Sequence, residues 1–303
     1  MIKEHQLKNY TWVEVVKPSP QEAEHLVSDH QMPAKFKNYM LDRHEQPHAT
    51  FDLVGHFDLI VVRALSIGKG DQVTTTPLFI GFSTTTLVTV AHTSGVMHLF
   101  SRMPLDSADS LYHQIFRILQ RVLEPYFTEL DHVTAQAERL ADTNNRKINQ
   151  KELDLLSTLK TRMVYLRSAT ASNLIALQEL RDILRQRLTE DFPHRREIFA
   201  DMNDLLVEFR QCQTTFDVVG DEISETESSY GDVLNYRLNN TMMFLTIWSL
   251  VLAIPPIISG FYGMNTYLPL ANKHLAWIYS LIMTLALIIA MVIVFKIHQR
   301  RHP

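Results

Sequence analysis

The stretch SGFYGMNTYLPL, residues 259–270, lies between two long uncharged segments near the C-terminal end of the sequence. No Asp, Glu, Lys or Arg occurs between Arg237 and Lys273, and none occurs between Lys273 and Lys296. A buried helix of a soluble protein rarely stays uncharged over such a length. The pattern therefore predicts two helices that cross a membrane, with this stretch in the connection between them.

The two apolar blocks are long enough for that role. Residues 237–262 and 275–296 are the predicted spans, and each exceeds the roughly 20 residues that a helix needs to cross the ~30 Å hydrocarbon core of a bilayer. Residues 263–274 are expected to form an extracytoplasmic loop, and residues 297–303 a basic tail.

Basic residues flank this hairpin unequally. Arg237 is the first residue of the first span and Lys296 the last residue of the second, the tail carries Arg300 and Arg301, and only Lys273 lies in the loop. The positive-inside rule therefore predicts that both termini are cytoplasmic. The N-terminal residues MIKEHQLKNYTWVEVV contain no apolar run typical of a signal peptide. We expect a multi-pass protein of the plasma (inner) membrane with a cytoplasmic head.

Residues 1–105 contain short runs of β-branched and aromatic residues that predict strands. Ser19, Pro20 and Glu22 occupy the positions of a capping box, with proline at the first helical position, and so predict a helix. The segment PAKFKNYMLDR predicts a second helix. We expect an α+β domain with a mixed or largely antiparallel sheet. The predicted strands are 10–16, 57–67, 76–82 and 86–92.

Residues 106–236 follow a helical period and are predicted to form a long stalk. The helices are interrupted at 143–149 and 190–197, where Pro193 is expected to open the last helix. This helix should run into the first span over about 68 residues, or roughly 100 Å. Eight of its residues alternate in steps of three and four and predict a seam that packs against other helices. They are Phe209, Cys212, Phe216, Val219, Ile223, Thr226, Tyr230 and Val233.

Acidic residues accompany the seam, and no Lys or Arg occurs from Gln211 to Tyr236. On one helix these acids form a solvated face. On several parallel copies they form a ring that attracts cations, because walls of one charge focus the field. The sequence leaves both interpretations open. The acids are Asp217, Asp221, Glu222, Glu225, Glu227 and Asp232.

Three further acids, Asp201, Asp204 and Glu208, lie three and four residues apart and share one helix face. Their oxygens are hard ligands of the kind that Mg²⁺ or Ca²⁺ prefers. The alternative is that they are solvated surface acids. Gly220 and Gly231 are candidate flexible points below them.

The first span carries a stripe of small and polar residues. Its members follow steps of three and four, so they share one face of the helix. Such a stripe either packs tightly against another helix or lines water. The members are Asn239, Met242, Thr246, Ser249, Ala253, Pro256 and Gly260.

The first span ends in Tyr262, Gly263, Met264 and Asn265, after an α/β head and an acid-rich stalk. With this motif at this place, the whole chain resembles the CorA family of magnesium channels. The resemblance implies a funnel-shaped homopentamer with the first span of each subunit around a central pore. It also implies Mg²⁺ as the transported and the regulatory ion, and no organic cofactor.

The resemblance implies that Gly263, Met264 and Asn265 form a selectivity filter at the outer mouth. Mg²⁺ sheds water reluctantly, so neutral Asn265 carbonyls can accept hydrogen bonds from its hydration shell. Gly263 is expected to permit the backbone turn there. The implied regulatory residues are Asp201 and Asp204, at the interface between subunits. The implied pore-lining residues are Asn239, Met242, Leu245, Thr246, Ser249 and Ala253, with Met242 and Leu245 as an apolar constriction.

The loop TYLPLANKH departs from the family pattern because it has no acid and carries Lys273 and His274. Cation attraction to the mouth should be weaker, and the ion preference among Mg²⁺, Co²⁺, Ni²⁺ and Zn²⁺ stays open. A zinc transporter of the same superfamily is one alternative, and a membrane-tethered scaffold without flux is another. An enzyme is not expected, since the head has no nucleophile elbow or phosphate loop. The net charge of −4 argues against nucleic-acid binding.

Overall fold

A computed structural model describes residues 2–52, 56–67, 73–100, 110–141, 148–264 and 275–301. The chain divides into two compact units, Met1–Glu227 and Ser228–Pro303. The strands in the described ranges are β1 (Ile2–Gln6), β2 (Thr11–Val16), β3 (His48–Phe51), β4 (Asp58–Ile67), β5 (Val73–Phe82) and β6 (Thr86–Ala91). The helices there are α1 (Pro20–Asp29), α2 (Phe36–Leu41), α3 (Ser94–His98), α4 (Leu111–Ala141), α5 (Gln150–Arg187), α6 (Arg195–Tyr262) and α7 (Ala276–Arg301).

The strands form one sheet in the order β1-β2-β6-β5-β4-β3. β2 and β6 pair in parallel, and the other neighbours pair antiparallel, which confirms the predicted mixed sheet. The four predicted strands are present. β1 and β3 were not predicted, because IKEHQ and HATF at the two sheet edges contain no run of buried apolar residues.

Helices α1 and α2 cover one face of this sheet. The predicted capping box is present: Ser19 Oγ accepts a hydrogen bond from the Glu22 amide at 3.2 Å, and the Glu22 carboxylate accepts one from the Ser19 amide at 2.8 Å. Leu26 of α1 and Phe36 and Met40 of α2 are buried against alternate residues of β2, β4, β5 and β6. Because side chains alternate between the two faces of a strand, every second strand residue points into this core.

Helices α4 and α5 pack on β4, and α5 also packs on β3. The pairing of β3 ends opposite Val61, so the next outward backbone groups of β4 belong to Arg63. The buried Asn173 side chain of α5 accepts from the Arg63 amide at 2.7 Å and donates to its carbonyl at 2.9 Å. The Tyr126 hydroxyl of α4 donates to the same carbonyl at 2.8 Å. Side chains therefore replace the missing strand partner.

An ion pair fastens the end of α5 to the start of β4. Arg187 Nη2 lies 2.9 Å from Asp58 Oδ1 and also donates to the Asp52 carbonyl at 2.7 Å. The Arg187 and Asp58 side chains are only 22% and 9% exposed. Burial raises the pKa of Asp58 above its ordinary value, although Arg187 acts in the opposite direction.

The prediction that Pro193 opens the last helix is wrong. The helix α6 begins at Arg195, and Pro193 lies in a turn closed by a hydrogen bond from the Arg195 amide to the Phe192 carbonyl at 3.2 Å. His194 has a positive φ of 57°. Proline followed by a residue with positive φ is the pattern of a type II turn, which prevents the helix from starting earlier.

The seam of α6 is buried from Phe209 through Tyr230. In the first unit its partners belong to the same chain: Phe216 makes an edge-to-face contact with Tyr126 of α4, with ring centroids 6.5 Å apart. Val233, in the second unit, is 40% exposed, so the predicted seam ends before it.

The second unit contains the C-terminal part of α6 and the whole of α7. Within the described chain, these are two helices that are long and apolar enough to cross a membrane, as predicted. The helix α6 is 68 residues long and contains Pro255 and Pro256. The helix α7 continues to Arg301, beyond the predicted end of the second span at residue 296.

We expect Arg187→Ala to lower the free energy of unfolding by about 3–5 kcal/mol, because the Asp58 carboxylate stays buried without its partner. A raised folded-state pKa favours folding at low pH, and this contribution is lost as the pH rises through that pKa. The destabilisation should therefore deepen as the pH rises above about 4. Denaturant unfolding of the detergent-solubilised protein at several pH values measures it.

The matched control is Arg185→Ala, because both Arg185 and its ion-pair partner Asp182 are exposed. This variant should change the free energy of unfolding by less than about 1 kcal/mol. Equal effects of the two variants, or a loss at Arg187 that does not depend on pH, would contradict the account.

Candidate functional site

The stripe predicted on the first span lies on an exposed face of α6. The residues proposed to line a pore are all exposed in the single chain, and the less exposed residues of the same segment lie roughly on the opposite face. The described part of α7 therefore leaves the stripe uncovered. The exposed set is Asn239, Met242, Leu245, Thr246, Ser249 and Ala253, and the less exposed set is Met243, Ile247, Val251, Ile254 and Ile258.

Backbone and hydroxyl groups give this segment free acceptors. Thr246 Oγ1 donates to the Met242 carbonyl at 2.9 Å, so its proton is used within the helix while its lone pairs remain available. Pro255 and Pro256 have no N–H, so the carbonyls of residues 251 and 252 cannot receive the usual helical hydrogen bond. In a bilayer such carbonyls need another donor, which water or a neighbouring chain can supply.

The helix α6 ends at Tyr262, directly before the Gly-Met-Asn motif. The Gly263 amide donates to the Ser259 carbonyl at 2.9 Å, and the Met264 amide donates to the Phe261 carbonyl at 3.3 Å. A Cβ at Gly263 would lie 3.2 Å from the Ser259 oxygen, so the glycine avoids a tight contact at this helix end. Asn265 lies outside the described residues.

The two acids proposed as a regulatory site differ in their surroundings. Asp201 Oδ2 lies 3.0 Å from His113 Nε2 of α4, and His113 Nδ1 lies 2.6 Å from Ser110 Oγ. Asp204 is exposed and forms no ion pair within the described chain. The described residues contain no group of three His, Cys, Asp or Glu side chains placed to hold a metal ion. A bound ion would need water or another chain to complete its ligands.

Half of the acids along the seam have partners on α5. Arg167 Nε lies 2.8 Å from Asp217 Oδ1, and Arg167 Nη1 lies 3.3 Å from Asp221 Oδ1. Lys160 pairs with Glu227. In the described chain, the remaining acids of this set form no ion pair. They are Glu222, Glu225 and Asp232.

These cations were missed by the sequence analysis, because Lys160 and Arg167 lie on another helix and no local spacing connects them to the acids. Their charges offset part of the acidic field of α6. Whether these acids form a solvated face or a cation-attracting ring, fewer of them carry an unpaired charge than the sequence predicts.

A family model described as "CorA-like Mg2+ transporter protein" matches residues 8–299. The chain belongs to the CorA-like family. It is 26% identical over 182 residues to the cobalt/magnesium transport protein CorA of Methanocaldococcus jannaschii, which covers 60% of this chain and 55% of that protein. The match thus spans about half the length of that relative.

Solved structures share the fold of this CorA-like chain. The complete structure of the CorA magnesium transporter from Methanocaldococcus jannaschii matches with a TM-score of 0.76 and 20% identity, over 95% of this chain and 90% of that one. The ZntB cytoplasmic domain from Vibrio parahaemolyticus matches with a TM-score of 0.61 and 11% identity, over 77% of this chain and 91% of that one. At these identities the likeness shows the fold alone.

The two candidate flexible points of the CorA-like stalk differ in packing. Gly220 is buried, and a Cβ there would lie 2.8 Å from Arg167 Nη1. Glycine therefore makes room for the guanidinium that pairs with Asp217 and Asp221. Gly231 is exposed, and a Cβ there would meet nothing within 4 Å.

We expect Gly231→Ala to raise the free energy of unfolding by up to about 1 kcal/mol, because alanine is the better residue in an open helical position. Gly220→Ala should not give this gain, because the new methyl group displaces Arg167 from its acids. Denaturant unfolding of the full-length protein compares the two. An equal gain at both positions would contradict the packing role of Gly220, and a loss at Gly231 would indicate that another chain packs there.

Proposed function

We propose that this CorA-like chain forms a homopentameric channel that carries Mg²⁺ into the cytoplasm. The observation that carries the proposal is the family match over residues 8–299. The Tyr-Gly-Met-Asn motif at the end of the first of two apolar helices supports it. Both termini lie in the cytoplasm, the helices span the plasma (inner) membrane, and the chain's partners are copies of itself, lipid and divalent cations.

The pore is lined by the stripe on the first span. Its exposure in the single chain supports this role, because a stripe that served packing within the chain would be covered by α7. Five copies around an axis would bring the uncharged oxygens of Asn239, Thr246 and Ser249 to the lumen. Neutral dipoles stabilise a hydrated cation without binding it so tightly that it cannot leave.

The selectivity filter is formed by Gly263, Met264 and Asn265. A ring of Asn265 amide oxygens accepts hydrogen bonds from the water molecules around Mg²⁺, which keeps most of its first shell. Entry therefore does not require the large free energy of complete dehydration. Further in, Met242 and Leu245 form an apolar ring that excludes water when the channel is closed.

The membrane potential drives the flux. A divalent ion that moves through an inside-negative potential gains roughly 4.6 kcal/mol per 100 mV, so no nucleotide is needed. The outer loop has no acid and carries Lys273, which should weaken the attraction of cations to the mouth. The proposed ion is Mg²⁺, with Co²⁺ and Ni²⁺ as further candidates; the relative named as a cobalt/magnesium transport protein supports Mg²⁺ and Co²⁺.

Cytoplasmic Mg²⁺ closes the channel by binding between subunits at Asp201 and Asp204. Carboxylates on neighbouring subunits repel each other, and a bridging ion offsets that repulsion in the symmetric closed state. When the ion leaves, the closed state loses this stabilisation. A ligand shifts such an equilibrium only by its difference in affinity for the two states, and a site split across an interface supplies that difference.

A zinc transporter and a scaffold without flux are the competing functions. The fold likeness to the ZntB cytoplasmic domain keeps zinc as an ion to test. Uptake of Mg²⁺ and Zn²⁺ into liposomes that contain the purified protein, with and without an imposed potential, separates the three. Potential-dependent Mg²⁺ uptake supports the proposal, a preference for Zn²⁺ reassigns the ion, and no uptake of either favours the scaffold.

We expect Asn265→Ala to abolish divalent-cation uptake and to leave the oligomer intact, because the variant removes the carbonyls that would hold hydrated Mg²⁺. Liposome uptake and size-exclusion chromatography measure the two effects. Asn240→Ala is the control, since Asn240 follows Asn239 in the sequence but lies about 100° further around the helix, away from the stripe. Normal flux through the Asn265→Ala variant would show that the motif does not form the selectivity filter.

We expect Leu245→Ser to raise flux at high internal Mg²⁺, because a hydroxyl lets water stay in the constriction. The control is Ile247→Ser, which places the same hydroxyl about 160° from Leu245 around the helix, among the less exposed residues. Uptake into liposomes loaded with Mg²⁺ compares the variants. Equal flux in Leu245→Ser and the unmodified protein would locate the gate elsewhere.

We expect the double variant Asp201→Asn with Asp204→Asn to lose Mg²⁺-dependent closure and Mg²⁺-dependent protection from protease. Asp204→Asn alone should weaken both, and it leaves the contact between Asp201 and His113 in place. The control pair is Asp182→Asn with Asp191→Asn, two exposed acids of other segments. If the double variant still closes at the original Mg²⁺ concentration, these residues do not sense the ion.

A further inference from the structure

A polar cavity lies in the first unit, and its lining includes none of the residues proposed for transport or regulation. It has a volume of about 210 Å³ and lies between β4, β5, the segment before β3 and the outer face of α5. Among its lining residues are Arg63, Gln46, Tyr165, Ser168 and Ser172. No carboxylate lines it, although the chain as a whole has a net charge of −4.

The Arg63 guanidinium is the charged group of this cavity. It donates to neutral oxygens only: from Nε to Thr75 Oγ1 at 2.8 Å, from Nη2 to the Thr75 carbonyl at 2.6 Å and from Nη1 to the Glu45 carbonyl at 3.2 Å. Three of its five N–H groups are thereby used, which leaves one on each terminal nitrogen. No carboxylate in the described chain forms an ion pair with it.

This cation is partly withdrawn from water. Burial lowers the pKa of Arg63 below its ordinary value, and no nearby carboxylate offsets the loss of hydration. A half-buried guanidinium with unused donors and no counter-ion is a place where an anion is stabilised.

Neighbouring hydroxyls add donors at the same cavity. Tyr165 and Ser168 lie one turn apart on the outer face of α5, and neither side chain has a hydrogen-bond partner within the described chain. Ser172 Oγ instead donates to the Ser168 carbonyl at 2.8 Å. The backbone of Arg63 is held against α5 by its two hydrogen bonds with Asn173.

The volume indicates the size of the ligand. It corresponds to about seven water molecules at roughly 30 Å³ each, below the ~300 Å³ at which sites for drug-sized ligands begin. A tetrahedral oxyanion fits inside, whereas any larger group attached to it must extend to the surface.

We propose that this cavity binds a phosphate group, held by the two free N–H groups of Arg63 and by the hydroxyls of Tyr165 and Ser168. The group is either inorganic phosphate or the terminal group of a phosphate monoester such as a nucleotide. The site is independent of the proposed transport function, so the failure of one leaves the other standing.

The competing location is the cavity lined by Arg185, Arg195 and Arg196 near the start of α6. Three arginines line it, but two of them already have partners within the chain. Arg195 donates to the Leu188 carbonyl at 3.1 Å and stacks on Phe199, and Arg185 pairs with Asp182. It therefore serves as the internal control.

Titration calorimetry of the full-length protein in detergent, in chloride buffer without divalent cations, tests the proposal with inorganic phosphate and with adenosine monophosphate. Both should bind, and Arg63→Gln should weaken binding at least tenfold. Arg196→Gln should change the affinity by less than about twofold. Tighter binding of the monophosphate identifies a phosphate monoester as the ligand, and equal binding identifies inorganic phosphate.

A second variant keeps the proposal testable if Arg63→Gln does not fold. Tyr165→Phe with Ser168→Ala removes two hydroxyls that have no partner in the described chain, so the fold should be kept while binding weakens several-fold. Thermal unfolding without ligand verifies this. The proposal is overturned if neither ligand binds, if binding depends on Arg196 instead of Arg63, or if the hydroxyl variant binds as well as the unmodified protein.

Discussion

The two hydrogen bonds between Asn173 and the backbone of Arg63 are the contact on which much of the head depends. They occur where β3 has ended and the edge of β4 would otherwise expose an unpaired amide and carbonyl in a dry environment, at a free-energy cost comparable to the loss of each hydrogen bond. A single amide side chain satisfies both groups because it carries a donor and an acceptor side by side. These two hydrogen bonds hold Asn173 of α5 directly against β4 at Arg63.

Once α5 is fixed, its other faces acquire defined neighbours. The face toward α6 carries Arg167 and Lys160, which pair with three of the acids there. Such exposed pairs add little stability, but they remove negative charge from the region where a cation would bind. Asp204 has no such partner within the described chain, and Asp201 has only a histidine. Electrostatically, these two acids are therefore better placed to respond to a divalent ion than the paired acids Asp217, Asp221 and Glu227.

Local rules in the sequence predicted those parts of the fold that depend on neighbours along the chain. The capping box of α1, the central strands and the seam from Phe209 to Tyr230 follow from spacing alone. The edge strands were missed because they lack buried apolar alternation, and the turn at Pro193 was missed because its second central residue is a histidine with positive φ, not a glycine. The partners of Asp201 and Asp217 were also missed, because contacts between helices leave no local spacing pattern. For the site, the motif supplied the residues, whereas the structure supplied their exposure and their ion pairs.

The exposure of the stripe on the first span limits what can contact this face of α6 in a membrane. Met242 and Leu245 are 59% and 58% exposed and would be stable against lipid, but Asn239 on the same face would not, because an amide in hydrocarbon without a partner costs several kcal/mol. The described part of α7 does not supply that partner. Water or another copy of the chain must therefore meet this face. In the proposed channel, one helix covers only a small arc of the water-filled lumen, so several copies of the chain surround it and each presents its stripe to the water.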